Sequence, residues 1–189
     1  MKNILITGGA GYIGRQILNV LNKNLNYKIS VIDNLSTTKI NYLKKKFNFQ
    51  KLNILNKKKF ENYFKKNSFD IVIHLAAKCI VSEGEKKKKE YYKTNVLGTK
   101  NILSCCKKNS IKNFIFASSC SIFSNKIRIV SENSVTNPIS YYGKTKLICE
   151  KMITKELGNK TRFIILRYFN VVGGDVKNNV GEFNTKDRI

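Results

Sequence analysis

At 189 residues, with 42% hydrophobic and 11% aromatic content, the chain is long enough to bury one ordinary core and too short for two full domains. Lys and Arg outnumber Asp and Glu 36 to 12, but the lysines fall in blocks at 44–46, 57–59 and 86–89 without a reader motif, so the net charge of +24 predicts a solvated basic surface and no specific nucleic-acid partner. No run approaches the roughly 18 apolar residues of a membrane span, and Met1-Lys2 leads into Asn3-Ile4-Leu5-Ile6 without a signal-peptide pattern, which predicts a soluble, cytoplasmic protein with no membrane partner.

Short β-branched runs and amphipathic stretches then alternate along the chain. A strand at 3–7 is followed by a helix at 12–21, strands at 28–32 and 49–54, a helix at 57–66, a strand at 71–75, a helix at 90–107, a strand at 113–117, a helix at 142–157 and a strand at 162–166. Such alternation specifies βαβ units, a parallel sheet and, through right-handed crossovers, helices on both faces. Residues 170–189, with Gly173-Gly174, Asn178-Asn179 and Gly181, read as a loop. A domain rarely finishes on a loop of that length, so the chain is expected to be truncated relative to its relatives. Cys79, Cys105, Cys106, Cys120 and Cys149 are odd in number and lack C-x-x-C spacing, which predicts free, mostly buried thiols and no metal site.

Three motifs carry chemistry. Between the first strand and first helix, Gly8, Gly11 and Gly14 form a G-x-x-G-x-x-G array, suited to a tight turn, close approach to a pyrophosphate and close helix packing at a helix N-terminus. The second strand ends in Asp33, whose carboxylate accepts from both hydroxyls of an adenosine ribose and repels a 2′-phosphate, so NAD is the expected cofactor and NADP is disfavoured. In Ser140-Tyr141-Tyr142-Gly143-Lys144-Thr145-Lys146, Tyr142 and Lys146 share a helix face, and an ammonium there is expected to lower the phenol pKa toward neutrality. Upstream, a buried strand ends in Ser118-Ser119-Cys120-Ser121, which places hydroxyls at a strand carboxyl end, where open α/β sheets hold ligands.

These residues, with VIDNL at 31–35, IVIHLAA at 71–77, Asn95 to Thr99, YGKTK at 142–146 and LRYFNV at 166–171, resemble the extended short-chain dehydrogenase/reductase family, and within it the UDP-glucose 4-epimerases. The resemblance implies a Rossmann-type doubly wound α/β/α sandwich, with a dinucleotide-binding domain at 1–169 and the start of a largely missing substrate lobe at 170–189. It implies an NAD site lined by Gly8, Gly11, Tyr12, Ile13, Gly14, Asp33, Asn34, Asn53, Ile54, Leu75, Ala76, Ala77, Asn95, Lys146 and Tyr168. Asn170 would face a UDP-sugar. Ser119, Tyr142 and Lys146 would be catalytic, with Tyr142 taking the 4-hydroxyl proton, so that UDP-glucose and UDP-galactose interconvert through a 4-keto sugar. His74, the only histidine, is expected to be structural. Homodimerisation through the helices at 90–107 and 142–157 is implied by the same resemblance.

The sequence departs from that family in places. Asn53 stands where relatives usually carry an aspartate, Phe123-Ser124 replaces Tyr-Gly, and Cys120-Ser121 occupies the position of the acidic pair of nucleotide-sugar 4,6-dehydratases. The missing acidic pair ranks a 4,6-dehydratase or other sister enzyme below the epimerase, and the expected truncation with the +24 charge leaves a non-catalytic dinucleotide-binding relic as a further alternative.

Overall fold

The computed structural model describes residues 1–38, 43, 46–125 and 129–174. Strand β1 (Lys2–Thr7) buries Ile4, Leu5 and Ile6 successively, because its side chains meet helices on both faces of the sheet. It pairs in parallel with β2 (Tyr27–Asp33) on one side and β4 (Ile71–His74) on the other. With β3 (Asn48–Lys51), β5 (Asn113–Ser119) and β6 (Arg162–Tyr168), the order is β3-β2-β1-β4-β5-β6 and every ladder is parallel. Strand order reverses between β1 and β4, which opens a crevice outside their carboxyl ends.

Helix α1 (Tyr12–Leu21) covers one face, packing Leu18 among Ile4, Ile6 and Val31. On the opposite face α2 (Lys57–Lys66), α5 (Gly98–Lys108) and α6 (Tyr141–Leu157) bring Phe60, Phe64, Ile102, Cys106 and Ile153 against Leu5, Val72, Phe114 and Phe116. The result is the Rossmann-type three-layer sandwich. No helix among the described residues is long and apolar enough to cross a membrane.

Two expectations change. The single helix at 90–107 is instead α4 (Lys88–Tyr91), a π-helical stretch Tyr92–Leu97 and α5 in succession, preceded by α3 (Val81–Lys86), which was not expected. Gly84, in the middle of α3, is closely packed, with the Tyr91 ring 3.1 Å from where a Cβ would be. The strand at 49–54 stops at Lys51, since Asn53 turns the chain by accepting from the Leu55 amide at 2.9 Å while Leu52 and Ile54 stay buried. Residues 169–174 carry no helix or strand, and 175–189, the rest of the expected substrate region, lie outside the described residues.

Phe114 is fully buried at the centre of the larger cluster. Phe114→Ala should lower the unfolding free energy by about 3–5 kcal/mol in a urea titration, and a loss below about 1 kcal/mol would show that this cluster does not hold the sheet.

Candidate active site

The first strand hands over to α1 through a turn whose geometry excludes side chains. Gly8 has φ +75°, and a Cβ on it would lie 2.5 Å from the Ala76 backbone nitrogen. A Cβ on Gly14 would meet Gly8 O at 2.6 Å, so α1 is drawn against the turn. At Gly11 the nearest such contact is Gly8 O at 3.3 Å, which leaves its outer side open in front of the first amides of α1. That is the cradle a pyrophosphate needs, presented at the positive end of a helix. Among the described residues no cluster suited to a metal ion occurs.

Asp33 braces the same turn from β2. One carboxylate oxygen accepts from the Ala10 amide at 3.0 Å and the other from Leu35 at 2.8 Å. Burial raises its pKa, and the backbone amides of Leu35, Ala10 and Asn34 oppose the rise. Asn34 caps the following bend by accepting from Ser36 at 3.0 Å. Leu75, Ala76 and Ala77 leave β4 beside Gly8, and the Tyr12 hydroxyl donates to Gly173 O at 2.5 Å. Ile13 is half-buried next to it on α1.

Other residues expected to line the cofactor have structural partners. Ile54 faces inward, its Cδ1 2.5 Å from where a Gly98 Cβ would sit, and its carbonyl accepts from Asn101 at 3.0 Å. Asn53 is exposed at its turn. Asn95, in the π-helical stretch, accepts from Lys78 N at 2.8 Å and donates to Lys78 O and Thr145 Oγ1, both at 3.0 Å. Its amide clamps the loop after β4 to α6.

The hydroxyl strand and the Tyr-Lys helix meet at the same end of the sheet. Tyr142, Ser119 and Lys146 are all buried, and the Ser119 hydroxyl, which donates to Ser121 Oγ at 3.1 Å, lowers the Tyr142 pKa slightly against the effect of burial. Gly143 permits the approach, because a Cβ there would lie 2.1 Å from Ser121 O. Lys146 Nζ donates to Ala117 O at 2.6 Å and sits 4.8 Å over the Phe116 ring and 5.8 Å from the Tyr142 ring centre. Tyr168 pairs in register with Ser119, and Asn170 is exposed just beyond.

The expected fall in the Tyr142 pKa is corrected by this arrangement. Burial pushes the phenol well above its ordinary value, the neighbouring Cys79 adds to the rise, and only the Ser119 hydroxyl acts against it. Burial also depresses the Lys146 ammonium, whose proton is directed at the Ala117 carbonyl. Desolvation outweighs the charge pair that sequence spacing suggests.

Several contacts were invisible in the motifs. Ala117 supplies the anchor for Lys146, and Glu150, one turn beyond Lys146, accepts from Ser118 and Arg167. His74 is structural, as expected: Thr7 Oγ1 lies 2.7 Å from Nδ1 and Thr99 Oγ1 2.9 Å from Nε2. The thiols are free, with Cys105, Cys106 and Cys149 buried and Cys79 exposed.

Residues 4–186 match the NAD dependent epimerase/dehydratase family. The chain belongs to this family. It is 32% identical over 194 residues to a probable UDP-arabinose 4-epimerase of Arabidopsis thaliana, covering 96% of this chain and 47% of that protein. It is 32% identical over 203 residues to UDP-glucose 4-epimerase of Mus musculus, covering 96% of this chain and 57% of the relative. Among solved structures, UDP-glucose 4-epimerase from Brucella ovis in complex with NAD superposes with TM-score 0.89 at 35% identity, over 96% of this chain and 56% of that one. The chain thus spans about half the length of the curated relatives it matches.

His74 is fully buried and its pKa falls to about 3, chiefly through desolvation. An unfolded histidine titrates near 6.5, so between about pH 6.5 and 3 the unfolded state binds the extra proton and stability is lost as pH falls. His74→Gln should remove that dependence, flattening the slope of unfolding free energy by up to about 1.4 kcal/mol per pH unit in this window. Equal slopes in parent and variant would contradict a neutral, buried imidazole.

Proposed function

We propose that this chain is the NAD-binding half of a nucleotide-sugar 4-epimerase. The observation that carries the reading is the meeting of Ser119, Tyr142 and Lys146 at the carboxyl end of β5, two strands from the Gly8–Gly14 cradle. In this reading the amides of Tyr12 and Ile13, at the start of α1, receive the pyrophosphate. Asp33, already oriented by two backbone amides, accepts from the adenosine ribose, and Lys146 donates to the nicotinamide ribose. NAD, when bound, supplies a hydride acceptor with a positively charged ring, which favours the phenolate in the same direction as Lys146 does.

The residues do the proton work. Tyr142 as phenolate takes the proton of the sugar 4-hydroxyl while Ser119 holds that oxygen, and it returns the proton when the 4-keto sugar is reduced on its opposite face. Asn170, exposed beyond β6, would contact the nucleotide sugar. UDP-glucose and UDP-galactose are the proposed pair. UDP-arabinose stands as the second reading, because several relatives are named for that pentose. The proposal includes a homodimer through the outer faces of the π-helical stretch, α5 and α6, where Leu97 and Ile148 are exposed.

The test is NAD titration followed by turnover with each UDP-sugar. The parent should bind NAD saturably and interconvert one pair, and Tyr142→Phe should keep NAD affinity while losing turnover by roughly a hundred-fold or more. Saturable NAD binding with no turnover of any UDP-sugar would favour a non-catalytic dinucleotide module instead.

A further inference from the structure

Next to the proposed catalytic pair lies a buried ionic network that the reaction itself does not use. Glu150 sits on α6 four residues after Lys146 and is almost fully buried. Its Oε1 accepts from Ser118 Oγ at 2.5 Å, and Arg167 on β6 reaches the carboxylate through Nε at 3.2 Å and Nη2 at 2.9 Å. Arg167 Nη1 donates to Glu132 O at 2.7 Å, and its guanidinium stacks 5.2 Å from the Phe123 ring centre. The buried Glu150 carboxylate carries a desolvation cost that its attraction to the half-buried Arg167 only partly offsets, so fold stability alone is a weak reason for the pair.

Its position suggests another reason. Successive residues of β5 are fastened to successive turns of α6: Ala117 O by Lys146 Nζ, and Ser118 Oγ by Glu150. The next residue is Ser119, whose Oγ accepts from Ser121 N at 3.1 Å and caps the turn Cys120–Ile122, against which Gly143 packs. The two fastenings therefore fix the offset between the end of β5 and the start of α6, which is the offset between Ser119 and Tyr142. Arg167 holds the Glu150 carboxylate in the one orientation that faces Ser118.

The geometry points to Glu150 as a positioning residue: through Ser118, and braced by Arg167, it sets the placement of Ser119 relative to Tyr142. The inference deepens the epimerase reading and rests on it for its catalytic consequence. A displacement of about 1 Å between such groups lowers turnover roughly a hundred-fold, because the hydroxyl that shares the reacting oxygen is then misaligned.

The test uses the full chain with ¹³Cζ-labelled tyrosine, the Tyr142 signal being the one lost in Tyr142→Phe. Ser118→Ala and Glu150→Gln should each move that signal at neutral pH with NAD affinity unchanged. With the UDP-sugar that the parent turns over, both should lower kcat roughly ten- to a hundred-fold while KM is held. Glu150→Gln should be milder than Glu150→Ala, since the amide oxygen still accepts from Ser118. Glu156→Gln on the same helix removes a surface pair with Lys107 and should change neither readout. Should Glu150→Gln fail to fold, Ser118→Ala decides alone, because it leaves the ion pair in place. An unmoved Tyr142 signal, or unchanged kcat in an active chain, overturns the positioning role. A parent that binds NAD without turnover contradicts only the catalytic reading, and the Tyr142 signal still decides the rest.

Discussion

The backbone of Gly8 runs so close to the exit of β4 that no side chain fits between them. This contact fixes where β1 ends relative to β4, and hence the width of the crevice at the point where strand order reverses. Gly14 brings α1 against the same turn, and Asp33 holds the turn through the Ala10 amide. Three separate elements thus converge on a few backbone atoms, leaving the amides at the start of α1 pointed at an open cradle. The sheet is a platform for that convergence. Its apolar strands bury on both faces, so the strand ends cannot slide relative to one another without opening the core.

The far side of the crevice obeys a different logic. There the chain buries groups that would be cheaper in water: the Lys146 ammonium, the Glu150 carboxylate and the Tyr142 phenol. Lys146 and Glu150 have specific partners on β5 and β6, and these contacts fasten α6 to the sheet. Burial raises the Tyr142 pKa and lowers that of Lys146, so both groups favour their neutral forms more than in water.

Much of this was readable in the residues because it is local. Glycine spacing after a strand, an acid at the end of the next strand and apolar periodicity on α1 and α2 each depend on near neighbours, and these elements fall where the spacing puts them. What escaped depends on distant chain. The helix at 81–86 has little apolar periodicity and a central glycine, over which the Tyr91 ring packs. The π-helical stretch carries Asn95, whose amide is engaged by Lys78 and Thr145 across the fold. Leu52-Asn53-Ile54 alternates like a strand but is a turn with two anchors in the core. Tyr142 and Lys146 were legible as a pair, whereas their electrostatics were not, since spacing says nothing of burial or of the Ala117 carbonyl.

The most direct test of the crevice as a dinucleotide site is amide hydrogen exchange with and without saturating NAD. Protection is predicted at residues 9–14, at 33–35 and at 75–77, the backbone that surrounds the cradle. Protection confined to the opposite end of the sheet, or exchange unchanged at every one of these amides, would contradict the account.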